Sequence, residues 1–159
     1  MPVPTWTVGE VLAAADVNTW FVLLSAVATS DQSITNNTAG VNDNALALAV
    51  AASSTYQVDL YIRCNGPSSN SFACEFTAPA GSALSASTAA AGTQDIPLSV
   101  AFVGVATSGT GTDVSFPLTG TLVTGGSSGT LQFIWAQLGS SGTATTRRAR
   151  SRLTLRRIS

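Results

Sequence analysis

The sequence has no histidine and no lysine. Without His, neither a Ser–His–Asp nor a Cys–His arrangement can be built. Without Lys, Schiff-base chemistry and the Lys-bearing phosphate loop are excluded. Charge of both signs is scarce. Only 9% of residues are charged, against about 25% in an ordinary soluble domain. Long apolar runs are missing too. WFVLLSAVA and IPLSVAFVGVA are the longest, well short of the roughly 18–20 residues of a membrane span. The first ends Ala26-Val27-Ala28, which mimics a signal-peptidase site. It follows Glu10 and Asp16 with no basic residue before it, whereas a secretory leader starts with positive charge. Neither membrane insertion nor export is expected.

Cysteine is limited to Cys64 and Cys74, which flank the turn-rich NGPSSNS. In YQVDLYIRC the apolar set is Tyr56, Val58, Leu60, Ile62 and Cys64. In SFACEF it is Phe72, Cys74 and Phe76. The alternation predicts a hairpin with both thiols on its inner face, as small buried groups; a cross-strand disulfide is the other option. No second pair or His completes a zinc site, and no EF-hand pattern marks a calcium loop. No cofactor is expected.

The eight acids are scattered. Asp43 in VNDN, Asp95 in GTQD and Asp113 in GTD sit where turn-forming Asp is usual. Asp59 and Glu75 are outward positions on what read as neighbouring strands, and Arg63 shares the side of Asp59, so a surface ion pair is expected rather than a glycosidase acid pair. The charges that exist are segregated. Residues 1–146 hold all eight acids against Arg63 alone, a net −7, and residues 147–159 carry six arginines, a net +6. The chain reads as a non-enzyme.

What is present is strand. From about residue 26 the hydrophobic period is two. The candidates are AVATSDQSIT, LALAV, TYQVDLYIRC, SFACEFTA, IPLSVAFVGVA, VSFPLTGTLVT, TLQFIWAQL and TTRRARSRLTLRRI, with ALSASTAAA as a weaker one. Clusters of Gly, Asn, Pro and Ser separate them. Strands at this spacing with no helix between them predict an all-β fold, an antiparallel β-sandwich of jelly-roll type, over residues 25–159. Residues 1–24 read as a separate, partly helical arm, because Val8, Val11, Leu12 and Ala15 follow helical spacing.

In the last predicted strand Ala149, Ser151, Leu153 and Leu155 point one way, and Arg148, Arg150, Arg152 and Arg156 the other. Four arginines on one strand face repel unless acids approach them. An interface is the favoured reading and a solvated face the next. Nucleic acid is disfavoured, because the body is acidic and aromatics are not interleaved with the basic residues.

Two segments carry a resemblance. The opening WTVGEVLAAADVNTW resembles the start of small virion structural proteins of actinobacterial tailed phages, which often begin with Trp or Phe followed by G-E-V-L-T-A-A-D-L-N. The C-terminal half, with its G-T-L strand, W-A-Q strand and basic last strand, is similar to the end of the same group. One departure is Ala13, where relatives commonly have Thr, a better helix N-cap. The resemblance implies a minor tail or fibre-like component of the virion, assembled in the host cytoplasm, usually as a homotrimer. A capsid decoration protein is the alternative, and a carbohydrate-binding module that recognises a host-surface glycan is an alternative of another class. Expected partners are copies of the chain and other virion proteins. Trp6, Val8, Val11, Leu12 and Trp20 would then be attachment groups of the arm, each contributing about 1.5–3 kcal/mol if buried.

Overall fold

The computed structural model of the chain describes residues 8–9, 11, 23–67, 72–88, 103–105 and 109–158. Eleven strands form in order: β1 (Leu23–Val27), β2 (Gln32–Ile34), β3 (Val41–Val50), β4 (Thr55–Gly66), β5 (Phe72–Thr77), β6 (Ala83–Thr88), β7 (Val103–Val105), β8 (Gly109–Val123), β9 (Gly129–Gln137), β10 (Thr145–Arg147) and β11 (Arg152–Arg157). No described residue is helical.

The strands make two antiparallel sheets. In the small sheet the order is β3-β9-β5-β7. In the large sheet one edge of β4 pairs with β10 and β11, which in turn pair with β2 and β1; the other edge of β4 pairs with β8, and β8 with β6. β1 and β2 form one broken strand, and so do β10 and β11. With β6 set aside as an addition, eight strand positions remain, ordered 1-8-3-6 and 2-7-4-5. This is the double Greek key of a jelly roll, as the sequence led us to expect.

The core lies between the sheets. Along β4 burial alternates at every residue, so Tyr56, Val58, Leu60, Ile62 and Cys64 all point inward. From the small sheet come Phe72, Phe76, Leu131, Phe133 and Trp135, all fully buried. Phe72 stacks on Trp135 at 5.1 Å and meets Phe116 of the opposite sheet edge-on at 6.0 Å. The Trp135 indole N–H finds no acceptor among the described residues, a cost of about 1–3 kcal/mol that the aromatic packing offsets. Gly120 faces inward between β4 and β6, opposite Val58 and Ala86. A Cβ there would fall 2.5 Å from the Ala86 Cβ and closer still to the Ser85 carbonyl oxygen. Only glycine allows β6 to lie this close.

Several expectations need correction. β4 and β5 do not form a hairpin: they belong to different sheets. Both thiols still face inward, and no disulfide joins them. AVATSDQSIT is broken between Val27 and Gln32. Asn42–Asn44 and Gly109–Asp113, read as turns, are strand. Glu75 is no neighbour of Asp59, and Arg63 pairs instead with Asp113 at 2.9 Å. The predicted last strand is two strands. A turn at Arg148–Arg150, with Arg150 at φ 68°, rotates the chain, so the strict alternation of arginines begins only at Arg152. Val8 and Gly9 form a turn where helix was expected. Residues 12–20, and Asp95 with AAGTQ, lie outside the described residues.

Candidate interaction surface

Five of the six C-terminal arginines do three different things. Arg147, on β10, is 3% exposed and pairs with the fully buried Asp43 of β3. Its Nε donates to Asp43 Oδ2 at 2.5 Å and its Nη2 to Oδ1 at 3.1 Å, while Nη1 donates to the Ser30 carbonyl at 2.5 Å. The bidentate geometry satisfies both groups away from water. Because β10 and β3 lie in different sheets, the pair pins one sheet to the other. Sequence reading had placed Asp43 in a turn and had given Arg147 no special role. A carboxylate in a Val-Asn-Asp-Asn run carries no local sign of a partner 104 positions away.

Arg148 is half-exposed and held by two acids, Asp31 at 2.5 Å and Asp113 at 3.1 Å. The same Asp113 accepts from Arg63 and from the Asn65 amide. The Ala149 amide donates to Asp31 at 2.7 Å, and the Arg150 amide to the Ala28 carbonyl at 2.7 Å. Ser151 is buried, and its Oγ accepts the Arg63 amide at 3.0 Å and donates to the Arg148 carbonyl at 2.8 Å. The turn is therefore clamped by the body's own acids. Exposed pairs of this sort contribute about 0–1 kcal/mol each; their main effect is to set the turn's shape. At its apex Arg150 is exposed, and its guanidinium has no partner among the described residues.

Arg152 and Arg156 do share a strand face, on the outside of the large sheet. Arg156 donates to Gln57 at 2.6 Å. Arg152 lies over the Tyr61 ring, 5.4 Å from its centroid, a cation–π contact. The sequence-predicted set is thus divided: Arg148 and Arg150 in the turn, Arg152 and Arg156 on the sheet.

Strand register builds the rest of this face. Ser25, Thr154, Asp59, Thr119 and Ser87 fall opposite one another in a row across five strands. The adjoining row holds Val27, Arg152, Tyr61 and Pro117. Short side chains in the first row and long ones beside them leave a depression of about 420 Å³, with Asp59 in the middle of the row along one side. Asp59 makes no ion pair or side-chain hydrogen bond among the described residues. Pro117 sits just beyond the last β6 pair, Thr88 with Leu118, where no described residue pairs with this edge of β8 and proline, which lacks an N–H, is tolerated.

Of the predicted attachment residues, Val8 and Val11 are fully exposed. Trp6, Leu12 and Trp20 lie outside the described residues. Leu23 and Val27 on edge strand β1 add exposed apolar surface next to the arm. The buried thiols are chemically quiet. Burial, and secondarily Asp113, pushes Cys64 up to about 12. Burial, then Cys64 and Glu75, pushes Cys74 up to about 12. Among the described residues no cluster of acids, thiols or imidazoles could hold a metal ion.

No protein-family model matches the chain, and no curated protein is significantly similar to it in sequence. Among solved structures it is similar to the tripod from the baseplate of bacteriophage Tuc2009, with TM-score 0.41 and 10% identity over 98% of this chain and 74% of that one. It is also similar to the structures of infectious bursal disease virus strains Gx and Gt, with TM-scores of 0.32 and 0.31 and identities of 11% and 13%. These cover 99% and 98% of this chain but only 44% and 45% of the viral chains. TM-scores and identities this low leave both fold and function resting on the chain's own strands and residues.

Proposed function

We propose that the chain is a structural component of a virus particle, of the minor tail or fibre-like type. It attaches through the arm at residues 1–24 and associates with copies of itself through the sandwich. One observation carries the reading. Of the described arm residues only Leu24, already within β1, packs against the core, and Val8 and Val11 stand clear of it. Apolar groups that the domain does not bury are available to a partner. The phage-like opening motif and the small, neutral surface point the same way, since few long side chains must be ordered or desolvated on assembly. With Arg148 already neutralised within the chain, the interface role proposed for the arginines narrows to Arg150 at the turn apex and Arg156 on the sheet rim.

Deletion of residues 2–20 tests the reading. The truncated chain is expected to stay folded and oligomeric in size-exclusion chromatography with light scattering, yet to be absent from purified particles. Loss of folding on truncation would show instead that the arm is a lid on its own domain. Incorporation equal to that of the full chain would refute the attachment role.

A further inference from the structure

We propose that the depression lined by Asp59 binds a neutral saccharide. The idea does not depend on the assembly role above; it concerns a different surface and different residues. The Leu60 and Leu118 side chains under the depression point into the core, so the floor is backbone. Thr154 and Thr119 stand on either side of Asp59 on the flanking strands. Tyr61, Pro117 and Arg152 form one wall. The lining therefore offers a carboxylate with its acceptor sites open, two hydroxyls that both donate and accept, and a guanidinium donor. Its charges, Asp59 and Arg152, cancel. A charged ligand would meet a like charge as readily as an opposite one, so an uncharged ligand rich in hydroxyls is favoured. Pro117 and the edge of Tyr61 supply apolar surface for the C–H face of such a ligand. These are the two sides of a sugar ring.

The geometry also says how binding works. Arg152 covers one face of the Tyr61 ring, so ring-on-ring stacking is not the main contact. Recognition rests on hydrogen bonds centred on Asp59. Each such bond replaces one to water and adds only about 1 kcal/mol net. The depression, although within the usual size range for small-ligand sites, is open to solvent. Single-site affinity is therefore expected near the millimolar range, strengthened by avidity in an oligomer.

The experiment is an array of neutral oligosaccharides of gluco-, manno-, galacto- and N-acetylated types, probed with the full chain. Titration calorimetry follows with whichever is retained. Asp59→Asn is expected to weaken binding about ten- to a hundredfold, the loss of a charged acceptor, and Thr119→Val to weaken it less. Glu75→Gln on the other sheet should bind as wild type. Thermal melting confirms that each variant is folded; if Asp59→Asn is not, Thr119→Val decides the matter. Three results would overturn the proposal: no neutral oligosaccharide retained, binding of anionic glycans alone, or unchanged binding by both site variants. Asp59→Asn should enter particles normally, so failure here leaves the attachment role standing, and failure of the arm deletion leaves this site standing.

Discussion

Removing one partner of the Arg147–Asp43 pair should be the most damaging polar substitution in the sandwich. Arg147→Met keeps much of the side chain's volume and removes its charge. Asp43, fully buried, would then have no cation beside it and, among the described residues, retain only the Ala45 amide at 3.1 Å. Breaking a buried pair in this way costs about 3–5 kcal/mol. For a domain of this size each kcal/mol lowers Tm by about 2–4 °C, so the expected drop is about 6–20 °C. Asp43→Leu should cost a similar amount, through the stranded guanidinium. The double variant, Asp43→Leu with Arg147→Met, removes both charges and should be more stable than either single one. It should not fully recover, because the hydrogen bond to the Ser30 carbonyl is lost, at about 0.5–1.5 kcal/mol. Arg148→Ala serves as contrast: its pairs are exposed, and the loss should be about 0–1 kcal/mol. Urea unfolding at fixed protein concentration, with a constant slope, measures all four. A Met variant within about 1 kcal/mol of wild type would refute the argument that this pair is desolvated and unsupported by solvent. So would a double variant as unstable as the two singles summed.

Two further predictions concern the core. Both thiols should resist Ellman's reagent in the folded protein near pH 8 and both should react in denaturant. Their folded pKa values, raised to about 12 from 9.0, mean that the unfolded chain releases these protons first. Their contribution to stability is then complete below about pH 9 and declines between about pH 9 and 12. A Cys64→Ala, Cys74→Ala chain should show a flatter alkaline loss of Tm than wild type; an identical slope would contradict the assignment. Gly120→Ala should destabilise by about 1–3 kcal/mol through overpacking against β6, with hydrogen exchange rising first at Ala83–Ser87. Unchanged stability and unchanged exchange would show that β6 does not lie as close as described.

The sequence by itself determined where most strands run and which of their faces is apolar. Tyr56 to Cys64 alternate in the chain and alternate in burial, and Leu131, Phe133 and Trp135, at alternate positions of the predicted strand TLQFIWAQL, are core. Low charge and the absence of His and Lys were also plain, and with them the classes of chemistry that this chain cannot perform. The tertiary structure alone decided how the strands are shared between sheets. In a sandwich both sheets point their apolar faces at the same core, so alternation looks the same for a hairpin and for a crossing between layers. That is why Cys64 and Cys74 read as hairpin partners. Long-range pairing was equally invisible. Asp43 acquires its role only when β10 delivers Arg147 to it, and Asp59 comes to line a depression only when register aligns Thr154 and Thr119 beside it. Local sequence sets backbone preference and the side of the sheet that is wetted. Which distant strand lies alongside is set by closure of the whole sandwich, and the surface chemistry follows from that.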